Sequence, residues 1–85
     1  MANKIIQRTQ TGVRIESSLL KVLKGLAEYT NLSLGDLLEG IVLHSFEGKA
    51  PPFSDETLQA IDKLKSVYGC TLTAEDSHKL DEAAP

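Results

Sequence analysis

The chain has 85 residues, with nine Lys and Arg against twelve Asp and Glu, 41% apolar residues, no Trp, two Tyr and two Phe. That length holds one small domain, or one domain and a tail, and argues against a two-layer enzyme with a deep cleft. The core must be aliphatic, and a lone cysteine, Cys70, offers no intrachain disulfide to a chain that buries only about 60% of its unfolded surface.

The net charge of −3, taken whole, argues against nucleic acid, whose binders carry a basic footprint. Its distribution is uneven. Residues 1–15 hold Lys4, Arg8 and Arg14 and no acid, for +3, whereas residues 16–48 sum to −3 and residues 49–85 to another −3. There is no run of 18 apolar residues, so no membrane span is expected. The first eight residues lack the apolar run of a signal peptide, and a lone cysteine fits a reducing cytoplasm.

Residues 5–15 alternate. Read as a strand, they place Thr9, Thr11, Val13 and Ile15 on one face and Arg8, Gln10, Gly12 and Arg14 on the other, polar and basic face. Ser17 and Ser18 then offer N-cap hydroxyls to a first helix. Leu19, Leu23, Leu26, Ala27 and Thr30 recur on one face of it, and it is expected to end near Asn31. Gly25 lies inside, at about 1 kcal/mol below Ala in helix propensity.

Ser33 is the next N-cap, with Asp36 in the first turn. Leu34, Leu37, Leu38, Ile41, Val42 and Phe46 follow at helical spacing, more apolar surface than one small neighbour can cover. Gly48 and Pro51-Pro52 break the chain. Ser54 opens a third helix with Phe53 and Leu58 at staple positions and a stripe of Leu58, Ile61, Leu64 and Tyr68, closed by Gly69. Thr73 and Asp76 suggest a helical turn through Leu80, and residues 81–85 are expected to fray. The division is thus residues 1–48 and an extension over residues 49–85.

A single strand in a helical chain leaves its N–H and C=O groups without partners. The same strand from a second copy, antiparallel about a two-fold axis, supplies them and also thickens the core. The rival arrangement is an intramolecular hairpin of residues 5–8 with 13–15, although its turn has no Asn-Gly or Asp-Gly.

Residues 8–48 resemble the ribbon-helix-helix DNA-binding fold of the Arc/MetJ type. The resemblance rests on a strand ending Val13-Arg14-Ile15, a first helix with Leu-Leu-x-Val-Leu-x-x-Leu-Ala from Leu19 to Ala27, a turn from Thr30 to Leu34, and a second helix opening Gly35-Asp36-Leu37-Leu38. It implies a mainly α homodimer whose paired strands form a ribbon in the DNA major groove. Base contacts then fall to Arg8, Gln10, Gly12 and Arg14. Phosphate contacts fall to the second-helix N-terminus at Ser33, Leu34 and Gly35. The shared dimer core falls to Val13, Ile15, Leu19, Leu23, Leu26, Leu37, Leu38, Ile41, Val42 and Phe46. Gly12 departs from the family, which places a polar base reader there, and the extension from Gly48 has no counterpart in the minimal fold.

Arg and Gln suit guanine and adenine edges, and a helix N-terminus suits phosphate. Lys21 and Lys24 are candidates for flanking phosphates. The bland reading of each is a solvated face. His44, His78 and Cys70 show no metal-site spacing, and no phosphate loop, triad or paired-carboxylate motif occurs. The expectation is therefore a DNA-binding transcriptional regulator, a repressor acting as a homodimer, with no enzymatic activity, cofactor, metal or membrane partner. The alternative is an antitoxin or other interaction module whose residues 53–85 bind a protein. Stacking of dimers on adjacent half-sites is left open.

Overall fold

The computed structural model describes residues 3–83. It contains three α-helices, α1 (Ser17–Tyr29), α2 (Leu34–Phe46) and α3 (Asp55–Val67), followed by a 3-10 turn at Ala74–Asp76. Local chemistry sets each start. Ser33 Oγ accepts from the Asp36 N–H at 3.1 Å and Ser54 Oγ from the Thr57 N–H at 3.2 Å, as the sequence predicts. The first helix differs: Glu16, not Ser17 or Ser18, is the cap, its carboxylate accepting from the Leu19 N–H at 2.9 Å and the Ser18 hydroxyl at 2.6 Å. A carboxylate satisfies an orphan N–H and also meets the positive end of the helix dipole. Those bonds, the Ser18 hydroxyl first, hold the Glu16 carboxyl below the usual carboxylate range.

All three helices end in the same way. Asn31, Gly48 and Gly69 adopt positive φ of 59°, 69° and 64°. In each case the next residue's N–H reaches back to a carbonyl five positions earlier, Leu32 to Ala27, Lys49 to His44 and Cys70 to Lys65, each at 2.8 Å. This is the Schellman closure that the sequence positions of Asn31 and Gly69 suggest.

Helix α1 packs against both α2 and α3. Leu26 and Ala27 of α1 and Leu37 of α2 form the buried centre, ringed by Leu23, Ile41, Phe53, Ile61 and Leu64. Phe53 thus serves this cluster, while its expected staple partner Leu58 is exposed. The closest approach of α1 and α3 is at Gly25, where a β-carbon would stand 2.9 Å from a Leu64 methyl.

Three expectations are corrected. No strand occurs among the described residues, so the ribbon over residues 8–15 is absent, as is the hairpin of residues 5–8 with 13–15. A strand exists through its ladder, and an alternating segment with no second strand beside it has no backbone partners to form one. The last helical turn stops at Asp76 rather than Leu80, because Ser77 leaves helical geometry and His78 turns to a φ of 65°. Of residues 81–85, expected to fray, Glu82 has its carboxylate bonded to Arg14, and Ala84 and Pro85 lie outside the described residues.

Candidate nucleic-acid interface

The basic residues of the amino-terminal segment stand outside the helical core. Residues 3–16 form an arm without regular secondary structure, and every residue from Asn3 to Arg14 is exposed. The arm joins the core at half-buried Ile15. Val13, assigned to the dimer core, is 74% exposed.

Both arginines of the arm are held by carboxylates. Arg8 donates from Nε to Glu39 Oε2 at 2.9 Å and from Nη2 to Oε1 at 2.8 Å. Arg14 donates from Nε to Glu82 Oε1 at 3.1 Å and from Nη2 to Oε2 at 2.8 Å. Each is a planar fork meeting a planar carboxylate, the geometry that also suits phosphate or a guanine edge. The Arg8 hydrogen bond pulls the Glu39 carboxyl below its usual range, and the same bond raises the Arg8 guanidinium further. Gln10 is exposed, and the site of a Gly12 β-carbon is open space. The four residues assigned to base contact therefore lie on one exposed arm, two of them already partnered.

The residues assigned to phosphate contact divide. Lys24, Ser33 and Leu34 line one open concavity between the end of α1 and the start of α2. Lys21 and Gly35 are exposed but do not line it. With Ser33 Oγ given to the Asp36 N–H and the Ser33 carbonyl to the Leu37 N–H, the N–H groups of Leu34 and Gly35 remain as first-turn donors. An anion in the concavity would meet the Leu34 N–H and the positive end of the helix dipole, with Lys24 and the acidic Glu28 both lining it.

The dimer-core assignment divides too. Leu26 and Leu37 are buried, and Ile15, Leu23, Leu38 and Ile41 are half-buried. Leu19 and Val42 are exposed, and Phe46 is 82% exposed, next to Leu43 at 62%. The second helix thus presents an apolar strip that nothing among the described residues covers.

Glu39 and Glu82 are the site residues that sequence reasoning missed. They lie 31 and 68 positions from their arginines, and no spacing rule links residues so far apart. Among the described residues no group of three His, Cys, Asp or Glu side chains is placed to hold a metal ion, and no helix is long and apolar enough to cross a membrane. No protein-family profile, curated protein or solved structure matches this chain.

Proposed function

We propose that this chain is a DNA-binding transcriptional regulator that acts as a homodimer, represses by occluding its site, and contacts DNA through the arm and the start of α2. The observation that carries the reading is the placement of charge: Lys4, Arg8 and Arg14, with no acid among the first 15 residues, lie on an exposed arm, with Arg8 and Arg14 each paired to a carboxylate elsewhere in the chain. An irregular basic arm needs no ladder to enter a groove, and arms of this kind are an established mode of DNA contact. Arg8, Gln10 and Arg14 bring base-reading chemistry, and the Leu34 and Gly35 N–H groups with Lys24 bring phosphate-binding chemistry.

A dimer doubles the arm's +3 to about +6 and pairs two half-sites. The strip of Val42, Leu43 and Phe46 supports it, being exposed on a helix rich in apolar residues. The alternative is an antitoxin or other interaction module whose residues 53–85 bind a protein; its version with a tail disordered until bound draws no support from α3, which packs on α1 through Leu64 and Ile61.

The test is fluorescence anisotropy with duplex DNA. Affinity should fall steeply as salt rises, because each neutralised phosphate releases counterions. Replacing both arginines, Arg8→Ala with Arg14→Ala, should weaken binding by at least tenfold and flatten the salt slope by about two charges per subunit. Binding that ignores both the salt and the double substitution would overturn the arm as the contact element.

A further inference from the structure

The fork of Arg14 is occupied from within the chain. Its Nε and Nη2 hydrogens both point at the Glu82 carboxylate, at 3.1 and 2.8 Å. Those are the donors that a phosphate or a guanine edge would need, so Glu82 and DNA cannot hold them together.

Glu82 is delivered there by a tethered segment. Beyond α3 the chain doubles back over α1. Cys70 is buried, and the Lys65 ammonium donates to the Leu72 carbonyl at 2.7 Å. The Asp76 carboxylate accepts from the Thr73 N–H at 2.8 Å, and the Lys79 N–H donates to the Asp76 carbonyl at 3.0 Å. Leu72 and Leu80 line a cleft with Leu19, Val22 and Leu23 of α1. These ties carry the last acids of the chain to the arm. From Cys70 onward the segment holds Glu75, Asp76, Asp81 and Glu82 against Lys79, so its field repels DNA phosphates as well.

We propose that residues 70–82 are an autoinhibitory strap, with Glu82 holding Arg14 in competition with DNA. The inference rests on the DNA-binding reading above and adds its regulation: DNA engages the Arg14 fork when the strap gives it up. The contact is built to be displaced. The Arg14 and Glu82 side chains are 84% and 71% exposed, and an exposed pair is weak enough for a dense row of phosphates to replace.

The experiment measures dissociation constants of the full chain for a short mixed-sequence DNA duplex at low salt, for the wild type and for Glu82→Gln. Removing the competitor should tighten binding by about two- to fivefold, and the gain should shrink as salt screens the pair. Two comparisons separate the strap contact from simple loss of negative charge. Glu75→Gln, on the same strap without a bond to the arm, should give less gain than Glu82→Gln. In an Arg14→Ala background, Glu82→Gln should give no more than the Glu75→Gln gain. Dissociation constants that do not change on Glu82→Gln, or that change equally for Glu75→Gln, overturn the strap while leaving arginine-dependent DNA binding intact. Failure of wild type and Glu82→Gln alike to bind the duplex at low salt overturns both the DNA-binding reading and the strap.

Discussion

Gly25, Gly40 and Gly69 show how one residue type carries three different constraints. Gly69 has a φ of 64°, a region where a β-carbon meets the following carbonyl, so Gly69→Ala should lower stability by about 1 to 2 kcal/mol. Gly40 lies inside α2 with open space where a β-carbon would go. There Gly40→Ala should raise stability by up to about 1 kcal/mol through helix propensity alone. Gly25→Ala would gain the same propensity but set its β-carbon 2.9 Å from a Leu64 methyl, which would have to shift, so its net effect should fall below that of Gly40→Ala. Urea denaturation of the three variants checks the order; a neutral Gly69→Ala would show that the cap of α3 is not held in the left-handed region. The Gly69 cap is legible in sequence, since a glycine just past an apolar stripe announces a left-handed stop. The crowding at Gly25 is not, because Leu64 is 39 positions away on another helix.

Among the elements, the helices follow from local signals and the arm does not. Ser33 and Ser54 cap their helices because an N-cap bond spans three residues, and the α2 and α3 starts could be read directly. Alternation in residues 5–15 describes which side chains would share a face if the segment were extended, but carries no information about a ladder. What positions the amino-terminal half of the arm is the Arg8–Glu39 pair. Glu39 is held below the ordinary carboxylate range by the Arg8 hydrogen bond. A carboxyl with a lowered value contributes at pH above its ordinary range and loses that contribution as pH falls through the lowered value. The arm should therefore stay docked on α2 at neutral pH and be released in acid below the ordinary range. Backbone amide shifts of residues 7–9 followed by NMR should report that release, and Glu39→Gln should remove the transition; a transition that survives Glu39→Gln would assign the docking to another group.

At the scale of the whole molecule, the chain exposes more surface than a monomer of its mass should. Its accessible area is 7506 Å², whereas a compact monomer of 9.2 kDa exposes about 4,900 Å². Its radius of gyration is 14.4 Å, against about 12 Å for a compact chain of this length. The excess of about 2,600 Å² exceeds the roughly 800 Å² that each partner contributes to a standard interface. The arm, exposed from Asn3 to Arg14, contributes to that excess, and the proposed dimer covers Leu43 and Phe46 of α2. Light scattering should give twice the chain mass, and Leu43→Asp with Phe46→Asp should shift it to the monomer with helicity retained. Leu37→Asp should instead unfold the chain, since that side chain is 3% exposed and a charge there has no partner. A wild type that scatters as a monomer at every concentration would refute the dimer.

The three helices, the caps of α2 and α3 and the aliphatic character of the core were readable in the order of residues, because a helix is made of contacts three and four positions apart and each cap lies within six; the Glu16 cap of α1 was not. So was the asymmetry of charge, with +3 in the first 15 residues and the acids behind them. The fate of those positive charges was not. Arg8 meets an acid 31 positions away and Arg14 one 68 positions away, through a chain that folds back over α1, and such pairings follow from where helices pack rather than from spacing. Whether the basic segment forms a strand is likewise decided in three dimensions, since its backbone needs a neighbour that its own residues do not contain.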